Sequence, residues 1–168
     1  MRVKLSMANE FVDQVTQFQK TYDPENLCYY PKRLEHMRWP DALKLLRLRY
    51  KLIAEEHNEF EQACLTMFDK MVRAHMDRQS LYAWLEKRPE EKELWLDAKK
   101  EMVDALGDMM VVIIGTALSF GIDIEKVMRR IHASNMSKLD ENGKPIYRDD
   151  GKVLKGPNYK PPVLEDLI

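Results

Sequence analysis

Turn-forming residues are scarce in this chain and unevenly placed. Of six glycines and eight prolines in 168 residues, none falls between Pro40 and Pro89. Long helices can form there, whereas the stretch from Gly143 to Pro162, where both residue types crowd, cannot carry one. Cysteine is scarcer still. Only Cys28 and Cys64 occur, without metal-type spacing, which argues against a disulfide framework and a cysteine-rich zinc site. Neither sign of charge dominates: 27 basic and 28 acidic residues leave a formal net charge of -1. No polyanion-binding field covers the molecule, so a nucleic-acid polymer is not an expected partner. The segment Met1 to Phe11 lacks the apolar core of a signal peptide. The most apolar stretch, Met109 to Phe120, is too short to span a bilayer and is interrupted by Gly115, Thr116 and Ser119. A cytoplasmic location and no membrane partner are expected.

What is present fits one globular domain over 1–168, with 45% hydrophobic and 33% charged residues. A core of about 41–138 is followed by a tail over 139–168. The pattern predicts an all-α fold, a bundle of four to five helices with a short C-terminal hairpin or irregular tail. The first helix covers Val3 to Tyr22, with Phe11, Val15 and Phe18 on one face, and ends at Tyr22-Asp23-Pro24. A loop rich in Tyr, Arg and Pro follows to Pro40. Asp41 can cap a long helix to about Arg73, whose apolar positions Leu45, Leu48, Leu52, Ile53, Phe60, Ala63 and Met67 keep helical spacing. Trp84, Leu85, Leu94, Trp95 and Leu96 indicate a short helix, a break near Pro89, then a helix from Pro89 to Phe120. Gly121 ends that helix in the left-handed conformation. Asp123 starts another, through His132 to about Lys138. Lys144 to Lys155 reads as two short strands around an Asp150-Gly151 turn.

The chemistry lies in acids. Glu55, Glu56 and Glu59 are spaced to converge beside one helix. An isolated Glu-Glu-x-x-Glu is ordinarily a solvated face, but these acids continue the line of Leu48, Leu52 and Ala63. They are expected to point inward, where unpaired carboxylates are costly and a counter-charge is needed. On the later helix Glu101, Asp104 and Asp108 run into Val111, Gly115 and Leu118 in the same way. Inward carboxylates from two helices are how bundles build metal sites. Oxygen-only ligands favour a hard cation, Mg²⁺ with Mn²⁺ as a substitute. A di-iron site wants Glu-x-x-His pairs, and Arg33, Ala54, Val72 and Arg129 stand three residues before the histidines instead.

A triphosphate also needs cations and amides. His132, Asn135 and Lys138 follow one another near the end of the helix that Asp123 starts, and Lys144, Arg148, Lys152, Lys155 and Lys160 lie in the tail. Singly each is an ordinary surface group; as a set they suit a triphosphate. No P-loop signature and no Gly-x-Ser-x-Gly elbow occurs. The methionines, Trp84 and Trp95 read as core or interface filling.

Glu55-Glu56-x-x-Glu59, Asp104-Ala-Leu-Gly-Asp108, Gly115-Thr-Ala-Leu-x-x-Gly-Ile-Asp123 and His132-x-x-Asn135-Met-Ser-Lys138 resemble the all-α nucleoside triphosphate pyrophosphohydrolase superfamily. The resemblance spans roughly Leu43 to Leu164, and the tail is similar to its phosphoribosyl-ATP pyrophosphohydrolase-like branch. It implies an Mg²⁺-dependent enzyme that splits a nucleoside triphosphate into monophosphate and pyrophosphate. By resemblance, the metal ligands are Glu56, Glu59, Asp104 and Asp108. Glu55 is either a further ligand or the base that orients water, so Glu55 and Glu56 are the candidate catalytic acids. Asn135 and Lys138 match the positions that hold substrate phosphates, and Lys152 and Lys155, from the basic tail, are added as substrate-binding candidates. The superfamily has Glu where this chain has Ala105, so Asp104 and Glu101 compete for that place. A homodimer or homotetramer with sites completed across subunits is implied. The form Asp104-Ala-Leu-x-Asp108 with Asn-Met-Ser-Lys is similar to phage enzymes called MazZ, which hydrolyse dGTP and dATP; for a phage-encoded protein the location is the host cytoplasm. The alternatives are a dUTP/dCTP-directed house-cleaning pyrophosphatase and a non-enzymatic helical interaction module.

Overall fold

The computed structural model describes residues 6–22, 37–74 and 78–167. The expected loop after Tyr22, with Cys28, Tyr29, Tyr30 and His36, lies outside the described residues, as does His75. The described residues form five α-helices: α1 (Ser6–Tyr22), α2 (Trp39–Ala74), α3 (Arg78–Glu86), α4 (Pro89–Ser119) and α5 (Ile124–Met136). A 3₁₀ turn covers Glu165–Leu167. At 73% helix the fold is all-α, as its periodicity predicts. The expected two-stranded hairpin reduces, among the described residues, to one antiparallel bridge between Tyr147 and Val153, with Gly151 at φ 83° in the turn. The chain packs as two units, 38–113 and 1–37 with 114–168.

In the unit 38–113, α2 starts at Trp39 and not after Asp41. Asp41 sits in the first turn, where it accepts a 2.8 Å hydrogen bond from Arg38 Nε and its charge suits the helix dipole. The buried line of α2 is Ala42, Leu45, Arg49 and Ala63. Leu48, expected on that line, is exposed. On α4 the buried positions are Trp95, Ala98 and Ala105. Leu81, Leu85 and Trp95 form a core cluster over which Met67 and Trp84 pack. Met102 shares a second cavity with His57, Phe60 and Cys64. Glu56 on α2 lies in the field of Asp108 and Asp104 of α4, whereas Met67 further along α2 packs on the cluster that contains Trp95, so the two helices run antiparallel.

In the other unit, α1 is fixed by a polar contact. Val15 and Gln19 are its buried residues, while Phe11 and Phe18 are exposed, contrary to the face expected of Phe11, Val15 and Phe18. Phe18 instead stacks on Tyr22 at 4.8 Å. Gln19 Nε2 donates to Ser119 Oγ at 2.7 Å and to the Gly115 carbonyl at 3.2 Å. Ser119 Oγ donates to the same carbonyl at 2.9 Å. Gly121, at φ 68°, ends α4 as predicted. Asp123 caps α5 by accepting the Lys126 N–H at 3.0 Å, which holds its carboxyl below the ordinary value.

Arg130 on α5 grips the tail. It donates to the Val163 carbonyl at 2.7 Å and makes a two-pronged pair with the Asp166 carboxylate. Those hydrogen bonds lower the Asp166 carboxyl from 3.8 to about 2. A depressed carboxylate stabilises the fold above its unfolded pKa, and that contribution fades as pH falls through the folded one. The latch therefore holds at neutral pH and opens between 3.8 and about 2. Titration of the Asp166 side chain by NMR is expected to show a midpoint near 2, returning to the ordinary carboxylate range in Arg130→Gln. A wild-type midpoint already in that range would show that no latch forms.

Candidate active site

Glu56 sits on the buried line of α2, two helical turns beyond Arg49 and two before Ala63. A carboxylate therefore occupies a position that the helix otherwise gives to its core. Its Oε2 is buried and has no hydrogen-bond partner. Burial pushes its pKa up, and the negative charges of Asp108, Glu59, Glu55 and Asp104 push it further. Two of those acids lie on α2 and two on α4, so both helices contribute negative charge to the field of one buried oxygen. An orphaned carboxylate oxygen costs roughly 1–3 kcal/mol or more, so the arrangement stands against the stability of the free protein.

Only Glu56 has the inward direction expected of the whole set. Glu55, Glu59, Glu101, Asp104 and Asp108 are exposed. The core line of α4 passes one position later, through Ala98, Met102, Ala105 and Met109, which a stripe drawn at 100° per residue could not separate from its neighbour. Ala105, only 2% exposed, holds the buried place, and Asp104 beside it faces out. Asp104 is one of the acids that act on Glu56, which favours it over Glu101.

An open surface depression of about 820 Å³ runs along α4, lined by residues of that helix alone, Glu101, Asp104 and Asp108 among them. Gly107 also lines it, and a Cβ there would meet nothing within 4 Å, so packing of the chain itself does not demand the glycine.

The expected substrate-binding residues belong to the other unit. Asn135 is exposed, and its Oδ1 accepts a 2.8 Å hydrogen bond from Lys138 Nζ. Lys155 Nζ lies 4.3 Å from the centre of the Tyr159 ring. Lys152 is exposed, with its backbone N–H donating to Asp150 Oδ1 at 3.1 Å. Asn135 and Lys138 are thus brought together; Lys152 and Lys155 stand in the tail with separate partners. Sequence reasoning missed Arg130, Ser134 and Gly156, which fix α5 to the tail. The prolines Pro157, Pro161 and Pro162 were the available signal, since they force an extended chain that needs outside hydrogen-bond partners.

The profile of the phosphoribosyl-ATP pyrophosphohydrolase family matches residues 12–135, from α1 nearly to the end of α5. The chain is a member of that family. It is therefore a pyrophosphohydrolase of the MazG-like superfamily, an enzyme acting on nucleotide pyrophosphate bonds. No curated protein matches the chain. The match stops at Asn135, so Lys138 and the tail lie beyond it.

Pyrophosphohydrolases of this superfamily generally use divalent metals. Among the described residues no three His, Cys, Asp or Glu side chains are gathered as ligands. The donor chemistry nevertheless fits: oxygens only, one of them buried without a partner, with four further carboxylates acting on it. Mutually repelling anions have no cause to converge until a cation lies between them. Neutralising Glu56 should relieve the strain of the metal-free protein. Glu56→Gln is expected to raise its Tm by the equivalent of about 1 kcal/mol, whereas Glu101→Gln changes it by less than about 0.5 kcal/mol. A lower Tm for Glu56→Gln would count against a frustrated carboxylate.

Proposed function

We propose that this pyrophosphohydrolase cleaves a deoxynucleoside triphosphate, dGTP or dATP, into the monophosphate and pyrophosphate with Mg²⁺. The observation that carries the metal-dependent chemistry is the buried, partnerless Glu56 Oε2 in the field of four other acids. The choice of dGTP or dATP rests on the resemblance of the Asp104-Ala-Leu-x-Asp108 and Asn-Met-Ser-Lys forms to phage enzymes. Glu56, Glu59, Asp104 and Asp108 are the proposed ligands, and Mn²⁺ is a workable substitute because the donors are all hard oxygens. When bound, Mg²⁺ supplies charge neutralisation for the triphosphate and a lowered pKa for water. Glu55, exposed at the edge of the cluster, orients the attacking water and takes its proton, with Glu56 behind it. The new bond forms between the water oxygen and the α-phosphorus, and the bond to the α,β-bridging oxygen breaks. Asn135 and Lys138, beside each other on the chain, are proposed to hold phosphate oxygens, with Lys152 and Lys155 adding positive charge.

The reading is tested by pyrophosphate release from a panel of deoxynucleoside triphosphates. Fastest release from dGTP and dATP is expected, with loss of about 100-fold or more in kcat for Glu59→Gln and Asp108→Asn. Fastest release from dUTP or dCTP would replace the proposed substrate, and equal rates in the variants would remove the acids from the mechanism.

The protein is further proposed to be a cytoplasmic homo-oligomer. Val103, Leu106, Met110 and Ile113 on α4 repeat at the three-and-four spacing of a coiled-coil seam, and all four are exposed. Within one chain only 22% of the most apolar window of α4 is buried. That window reaches a mean hydropathy of 1.6, long and apolar enough to cross a membrane by composition, because the apolar run extends further back than Met109. Asp104 and Asp108 on the same helix make lipid an expensive surrounding, which favours a second copy of the chain. Light scattering is expected to give a dimer or tetramer, shifted toward monomer by Leu106→Lys with Met110→Lys. A monomeric wild-type protein would refute this assignment.

A further inference from the structure

Residues Gly156 to Asp166 run back along α5, and Gly156, Lys160, Val163 and Asp166 hydrogen-bond to it or to the residues that directly follow it. Gly156 N–H donates to the Lys138 carbonyl at 2.9 Å. A Cβ at Gly156 would lie 2.2 Å from the Leu139 carbonyl oxygen and 2.7 Å from that of Lys138, both backbone atoms that cannot swing aside. Only glycine permits so close an approach. Further along, Ser134 Oγ, on a residue only 7% exposed, donates to the Lys160 carbonyl at 2.8 Å. Ser137 Oγ accepts the Lys160 N–H at 2.9 Å and donates to the Ser134 carbonyl at 2.7 Å. Two serines thus hold both backbone groups of one tail residue. Pro157, Pro161 and Pro162 have no N–H, and the donors that face α5 and its end are those of Gly156 and Lys160. The latch of Arg130 on Val163 and Asp166 closes the far end.

The residues fastened in this way surround Asn135 and Lys138. Lys138 gives its carbonyl to Gly156 and its ammonium to Asn135 Oδ1, while Ser134 and Ser137 bracket Asn135 in sequence. We infer that the tail is a strap that fixes the last turn of α5 in the geometry needed to hold substrate phosphates, with Gly156, Ser134 and Ser137 as positioning residues. None of the three touches substrate; they act through Asn135 and Lys138. The inference rests on the proposed phosphate role of those two side chains.

The full-length protein is compared in two readouts: steady-state kinetics with dGTP, and the Kd of an α,β-methylene analogue of dGTP. Lys138→Ala and Asn135→Ala test the phosphate role directly. Gly156→Ala, and Ser134→Ala with Ser137→Ala, are expected to raise KM and Kd about five- to tenfold with kcat within about twofold. Ser137→Thr, which keeps the hydroxyl, restores the wild-type values. Hydrogen exchange at Lys138 to Asp140 and Gly156 to Lys160 reports whether the strap has been released, and circular dichroism confirms the helices. Release of the strap with unchanged KM and Kd, while Lys138→Ala raises both, overturns the strap and leaves the phosphate role standing. Unchanged binding in Lys138→Ala and Asn135→Ala overturns both. A fall in kcat equal to the change in KM, without rescue by Ser137→Thr, reduces the contact to general stability and also overturns the proposal.

Discussion

A carboxylate set into the buried line of a helix is tolerated only if something compensates it, and Glu56 is such a group. Its neighbours make matters worse, since burial and four surrounding acids all disfavour its charge. The pairing of α2 and α4 concentrates this conflict, because the charges of Glu55 and Glu59 on one helix and of Asp104 and Asp108 on the other all act on Glu56. A fold selected for stability alone would put an apolar side chain at 56. The same conflict is useful to an enzyme that handles a highly charged anhydride, because a site that repels itself attracts a divalent cation and with it a polyphosphate.

Helix α4 carries three surfaces around one axis. Trp95, Ala98 and Ala105 face the chain's own core. Asp104 and Asp108 look into the open groove. Leu106, Met110 and Ile113, with Val103 at the border of the groove, form an apolar seam that the single chain leaves exposed. These demands explain why the helix is apolar over so long a window yet interrupted by acids. They also explain Ala105, a small side chain where the core line requires burial, beside an acid turned toward the groove.

The other unit is held together by polar contacts between specific atoms. Gln19 joins α1 to the end of α4 through Ser119 and Gly115, and the serines of α5 hold the tail by its backbone. Such contacts are directional, so they define a single arrangement where apolar packing between exposed phenylalanines would allow several. A segment rich in proline suits this task. Its chain is already extended before it binds, and little conformational entropy remains to be lost.

Local chemistry was legible in the sequence: the interval without glycine or proline, the break before Pro89, the left-handed Gly121, the Asp123 cap and the ordered acidic motifs. Each depends on a few adjacent residues, and the family match agrees with the reading of the motifs. The direction of each helix face was decided only by the tertiary structure. Glu56 points inward while Glu59, Asp104 and Asp108 do not, and Val15 with Gln19, not the phenylalanines, anchors α1. A one-position shift rotates a helical stripe by about 100°, and only the neighbours a helix meets determine which of two adjacent stripes becomes the core. The strap was equally invisible, because contacts between Lys138 and Gly156, or Arg130 and Asp166, join residues whose separation along the chain follows no local rule. Sequence alone determined which acids exist and in what order; tertiary packing decided that one of them, Glu56, would be half-buried with a carboxylate oxygen that has no partner.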